Sequence, residues 1–167
     1  MIYVIEASGS GRVKIGCTRH DPARRLAAIQ RDVGEDLRLR CVINGDYATE
    51  KMLHTILADK RVTGEWFADG PHIAAALDAV QVDGGLNASG KAGTVAGLLI
   101  RLRERVSMSQ AAAAVHAGCS PPRWRAVERG ERAPDTDELS RLLGACGATE
   151  EERGAIAAAA LGEVPRG

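Results

Sequence analysis

The chain has 167 residues, and its 22 Lys and Arg balance its 22 Asp and Glu to a net charge of zero with neutral His. That length suits one ordinary domain or two small ones, and the balance removes a globally basic surface as an argument for nucleic acid while leaving a locally basic face open. A composition 45% hydrophobic and 26% charged excludes intrinsic disorder, and no apolar run approaches the ~20 residues of a spanning helix, so no membrane is expected. The N-terminal MIYVIEASGSGRVKIG lacks the basic-then-apolar layout of a signal peptide, which sets the expectation of a cytoplasmic protein. Cys17, Cys41, Cys119 and Cys146 form no Cys-x-x-Cys pair and no Cys/His cluster, so the thiols are read as free and no structural zinc is expected.

Ile2–Glu6 and Arg12–Ile15 are β-rich runs separated by Ser8-Gly9-Ser10-Gly11, a hairpin pattern. Asp21-Pro22 is an N-cap followed by Pro at the first helical position, and the helix it opens carries Leu26, Ile29 and Val33 on one stripe. Leu37–Ile43 alternates Leu37, Leu39, Cys41 and Ile43 against Arg38, Arg40 and Val42, a half-buried strand. Thr49 is expected to begin a helix with Met52, Leu53, Ile56 and Leu57 inward, followed by a short strand Glu65-Trp66-Phe67 and a closing helix over 71–80. Residues 81–93, QVDGGLNASGKAG, carry four glycines and read as a flexible linker. Five helices are expected beyond it, over 94–105, 109–117, 121–129, 135–146 and 149–161. Gly118, Gly130, Gly147 and Gly162 stand just past four ends, and Ser107 or Ser109, Ser120 and Asp135 stand at starts. The expected architecture is thus α/β (α+β): a small mixed sheet with flanking helices over 1–80, a Gly-rich linker over 81–93, and an all-α five-helix domain over 94–167.

Two short helices joined by a Gly-bearing turn, 109–117 and 121–129, have the rhythm of a helix-turn-helix, whose second helix enters the major groove. Its first turns carry Arg123 and Arg125, Arg129 lies at its close, and Gln110 opens the preceding helix where an amide can reach a phosphate. The segment resembles the phage-repressor type of helix-turn-helix in its Ser109-Gln110 start, its Glu128-Arg129-Gly130 close and Pro134 beyond. The resemblance implies DNA as partner, and a homodimer reading paired half-sites is a natural form for it. It departs in Pro121-Pro122, which open the recognition helix without donors. Trp124 falls at a packing position.

Hydrolysing a phosphodiester requires an activated water, positive charge against the phosphate and help for the leaving oxygen. Tyr3, Lys14, Arg24, Glu50 and His54 offer groups of those kinds, with Tyr3 and Lys14 on the two strands of one hairpin and Glu50 and His54 at i and i+4 of one helix. Ile2-Tyr3-Val4, then Lys14-Ile15-Gly16 eleven residues after Tyr3, Arg24 eight residues after Gly16, and Glu50 in ATEKMLHTIL resemble the GIY-YIG nuclease superfamily. KIG, DPARRLAAIQ, Glu50-x-x-x-His54 and GEWF narrow the resemblance to its T5orf172 and Mug113 subgroup. The resemblance implies Tyr3 as general base or water-orienting group, Arg24 as the group stabilising phosphorane charge, and Glu50 as ligand of one Mg²⁺ or Mn²⁺. Lys14 stands in place of the second motif tyrosine, and the asparagine many members carry has no match. The expected function is a metal-dependent DNA endonuclease directed by its helix-turn-helix. Two rivals are a non-catalytic transcription regulator whose first half serves sensing or dimerisation, and a helical module gripping a protein partner.

Overall fold

A computed structural model describes residues 1–71, 73, 74 and 93–162. Five strands form an antiparallel sheet in the order β3-β1-β2-β5-β4. They are β1 (Ile2–Ala7), β2 (Arg12–Cys17), β3 (Leu37–Ile43), β4 (Arg61–Thr63) and β5 (Trp66–Ala68). β4 is additional to the expected strands. Its three residues are all exposed, too short to show alternation, and a left-handed Gly64 (φ 53°) turns it into β5.

Each face of the sheet takes its own cover. Tyr3 and Ile5 point to one face, where α1 (Pro22–Asp32) lays Leu26 and Ile29 against them, beside Val33 just past its end and with Leu37, Leu39 and Trp66. The Asp21 carboxylate accepts the Ala23 N–H at 2.9 Å, and Pro22 follows it as the sequence suggested. Ile2, Val4, Val13, Ile15 and Phe67 point to the other face, where α2 (Tyr47–Ile56) packs Leu53 and Ile56. α2 starts two residues earlier than Thr49, because Asp46 is the cap and Thr49 closes a capping box with it. Of the closing helix expected over 71–80, Pro71, Ile73 and Ala74 are helical, and the remainder lies outside the described residues, as does the glycine-rich stretch up to 92.

The second half holds α3 (Val95–Arg105), α4 (Gln110–Ala117), α5 (Pro121–Glu128), α6 (Thr136–Ala145) and α7 (Glu150–Gly162), close to the expected spans. Ser109, Ser120 and Asp135 cap α4, α5 and α6, while Ser107 takes a positive φ instead of a cap. Gly118 is left-handed, and the Cys119 N–H returns to the Ala114 C=O at 2.9 Å, closing α4 as a Schellman turn.

The two halves share one aliphatic core. The sheet face covered by α2, α2 itself and Ile73 join Leu99, Leu102, Leu139, Leu142, Ile156, Leu161 and Trp124 in a continuous buried cluster. α2 packs against both α6 and α7, and Arg153 of α7 donates to the Ile56 C=O at 2.9 Å, satisfying a carbonyl at the end of α2. Lys60 pairs with Glu150 beside it. All four cysteines are free, Cys41 and Cys146 buried. Among the described residues no helix is long and apolar enough to cross a membrane.

Because Leu53 is 2% exposed within this joint core, Leu53→Ala is expected to cost about 2–5 kcal/mol. Both halves should melt in one transition, displaced to lower temperature, by calorimetry. Two transitions, with only the first moved, would show the halves unfolding separately.

Candidate active site and nucleic-acid interface

β2 outruns β5. The pairing covers Arg12, Val13 and Lys14, and the Glu65 C=O accepts the Ile15 N–H at 3.2 Å as its last rung. Beyond it, α2 supplies side chains to the strand edge. His54 donates its Nε2–H to the Ile15 C=O at 2.9 Å, which fixes the tautomer, and the Glu50 carboxylate accepts the Cys17 N–H. The His54 ring lies 5.0 Å from that of Phe67. Its Nε2 is 4.0 Å from Glu50 Oε1.

From the other face come Tyr3 and Lys14. Tyr3 sits opposite Gly16 in the β1–β2 register, buried, with its hydroxyl accepting from Arg25 Nε at 3.2 Å. Gly16 is what lets the ring lie there: a Cβ at that position would stand 2.4 Å from Tyr3 Oη. Lys14, two residues earlier on the same face, is nearly buried and donates to Glu65 Oε2 at 2.5 Å.

The charges couple across this edge. Burial pushes the Glu50 carboxyl above the usual range; the Glu65 charge adds to this, while His54, the Cys17 amide and Lys14 oppose it. Burial works against charged Glu65 as well, but the Lys14 ammonium, aided by His54 and Arg25, outweighs it and holds that carboxyl low. Arg25 is held above its ordinary value by the Tyr3 hydroxyl. Four of the five expected residues, Tyr3, Lys14, Glu50 and His54, therefore meet at one sheet edge. Arg24 does not join them. Its side chain is exposed and makes no hydrogen bond or ion pair among the described residues, whereas its neighbour Arg25 reaches the tyrosine.

A buried carboxylate with one amide donor and a raised pKa suits a hard cation that keeps most of its water and takes one or two carboxylates. Among the described residues no group of three or more His, Cys, Asp or Glu is arranged as a protein cage for a metal.

In the helical half, Glu128 is 3% exposed and organises the space between α3, α4 and α5. It accepts from Arg103 Nε at 2.7 Å, from Trp124 Nε1 at 2.8 Å and from Gln110 Nε2 at 2.6 Å. Gln110 is exposed and keeps its second amide hydrogen, so Glu128 orients the group expected to meet a phosphate. Trp124 is fully buried, as its packing position suggested. Arg123 is engaged elsewhere: its guanidinium forks onto the buried Glu138 carboxylate, with Asp135 Oδ2 at 3.6 Å. Arg129 forms an exposed pair with Glu131, Nε to Oε1 at 2.5 Å. Arg125 stands exposed on α5 without an ion pair among the described residues.

Residues 1–82 match the T5orf172 domain family, and residues 95–156 match a helix-turn-helix domain family. The chain joins a T5orf172 domain to a helix-turn-helix domain. No curated protein and no solved structure matches it. In the T5orf172 domain, the sequence reading missed two members of the cluster. Arg25 was ambiguous because adjacent arginines differ only by a helical rotation of about 100°. Glu65 reads as the first residue of the last expected strand and as part of GEWF, with nothing local to tie it to Lys14 fifty-one residues away.

Gly16→Ala is expected to displace the Tyr3 ring while leaving the sheet folded, since Gly16 needs space rather than a positive φ. Its tyrosine ring resonances should shift by NMR. Unmoved Tyr3 resonances in a folded Gly16→Ala protein would refute the close approach.

Proposed function

We propose that the chain is a metal-dependent DNA endonuclease of the GIY-YIG type, its T5orf172 domain cutting and its helix-turn-helix domain holding DNA. The observation that carries this reading is the meeting of Tyr3, Lys14, Arg25, Glu50 and Glu65 at the unpaired edge of β2. The helix-turn-helix match supports DNA binding independently.

In this reading the exposed Arg25 meets a phosphate oxygen and brings the scissile group beside the buried Tyr3 hydroxyl. A fixed guanidinium stabilises the charge that builds on phosphorus. The Tyr3 hydroxyl orients the attacking water, whose oxygen forms the new bond to phosphorus as the bond to the leaving sugar oxygen breaks, the water's proton passing through solvent to that oxygen. Lys14 supplies a second positive charge on the same face. Glu50 would hold Mg²⁺ or Mn²⁺, which when bound polarises a phosphate oxygen and eases departure of the leaving group. The Arg24 role implied by resemblance passes in this proposal to Arg25. His54, its Nε2–H taken by Ile15, orients the edge rather than moving protons at that atom.

On the helical side, Arg125 is the proposed phosphate or base contact, with the second amide hydrogen of Gln110 on a phosphate. Arg129 can trade its exposed Glu131 partner for a phosphate, since such a surface pair is worth little. Arg123 serves the fold through Glu138. A homodimer on paired half-sites belongs to the same proposal.

Plasmid nicking in Mg²⁺ or Mn²⁺ tests it. Glu50→Gln should lower the cleavage rate by about a hundredfold or more, while gel-shift binding stays intact. Arg125→Ala should weaken binding and reduce the slope of log affinity against log salt by about 1. Wild-type protein that shifts DNA but never cuts it would overturn the nuclease reading and favour the regulator.

A further inference from the structure

Glu65 touches or senses every charged group of the cluster. It accepts from Lys14 Nζ, and its charge is coupled to those of His54, Arg25 and Glu50. Its backbone is fixed by the Ile15 N–H and by the left-handed Gly64 before it, so the side chain leaves β5 at a set place. Lys14 is different in kind. An ammonium on a four-carbon stem has three donors and no direction of its own. Its stem lies along Trp66, with Nζ 5.8 Å from the ring centroid, and its side chain is 11% exposed against 42% for Glu65. The carboxylate is thus the solvent-side partner of a nearly buried cation, on the face that carries Tyr3.

We infer that Glu65 is a positioning residue for strand cleavage: it holds the Lys14 ammonium at the mouth of the site until a DNA phosphate replaces the carboxylate as the partner of Lys14. The inference rests on the nuclease reading above. It gives a physical reason for a lysine where the second motif tyrosine would stand, because a tyrosine hydroxyl is placed by its ring whereas an ammonium needs a counter-ion to place it. The exchange makes and breaks no covalent bond; Lys14 stays protonated while its hydrogen bonds pass from carboxylate to phosphate oxygen.

The test compares wild type, Glu65→Gln, Glu65→Asp, Lys14→Ala and the Lys14→Ala/Glu65→Gln double variant in single-turnover cleavage of a labelled duplex with Mg²⁺. Glu65→Gln should slow cleavage by up to about a hundredfold, the scale of a misplaced reacting group, with half-saturating DNA concentration and melting temperature little changed. Glu65→Asp should recover part of the rate. The double variant should be no slower than Lys14→Ala alone, since Glu65 acts through Lys14. Independently of activity, acetic anhydride labelling read by mass spectrometry should find Lys14 more reactive in Glu65→Gln than in wild type. A wild-type rate in Glu65→Gln, additive losses in the double variant, or unchanged Lys14 labelling would each overturn the inference. A wild-type protein inert with Mg²⁺ and Mn²⁺ would overturn the nuclease reading and this inference together; labelling would then report on the ion pair alone.

Discussion

An antiparallel strand that extends past its neighbour leaves backbone N–H and C=O groups facing outward, and such groups kept from water cost about as much as a lost hydrogen bond. β2 does this after Lys14, and the structure answers with side chains from α2. His54 covers the Ile15 carbonyl and Glu50 the Cys17 amide. A structural need therefore brings an imidazole and a carboxylate to the strand edge where the face covered by α1 presents Tyr3 and Lys14. Had β5 run straight on for three more residues at its start, ladder bonds would have occupied the same backbone groups and shut the edge.

α2 also ties the two halves together. Leu53 and Ile56 enter the core that α6 and α7 complete, while Glu50 and His54 occupy the adjoining face of the helix. Arg153 holds the Ile56 carbonyl at its end. For the proposed nuclease this changes how targeting works. A flexible tether would raise the local concentration of DNA according to linker length. A shared core instead sets the helix-turn-helix at a fixed place relative to Glu50, so the distance between the bound site and the cut follows from packing.

Much of this was legible in the sequence because the signals are local. Asp21-Pro22, the alternation of Leu37–Ile43, and the caps at Ser109, Ser120 and Asp135 each act within four residues of the element they define. The spacing of Tyr3, Lys14, Glu50 and His54 also survived folding, since each lies in a regular element whose periodicity fixes its direction. What escaped were pairings set by tertiary approach. Arg123 reads as a DNA contact until Glu138, from the next helix, takes its guanidinium. Gln110 reads as a free amide until Glu128 claims one of its hydrogens. Arg25 rather than Arg24 reaches Tyr3 because the α1 stripe of Leu26 and Ile29 fixes the helix rotation, which spacing along the chain leaves open.

The zero net charge acquires meaning from these pairings. In the helical half Arg103, Arg105, Arg123, Arg129 and Arg153 all have carboxylate partners, leaving Arg101, Arg125, Arg132 and Arg141 exposed without ion pairs among the described residues, Arg141 donating to the Ala117 C=O. The start of α5 adds little for an anion, because Pro121 and Pro122 lack N–H groups and Ser120 already accepts that of Arg123. In the proposed DNA contact, so few unpaired cations would release few counter-ions, which would keep the sequence-independent part of the affinity small. In that proposal, discrimination between sites would rest on a small number of contacts. The T5orf172 half is balanced likewise: Lys14 keeps a carboxylate partner in Glu65 and Arg25 a phenolic one in Tyr3.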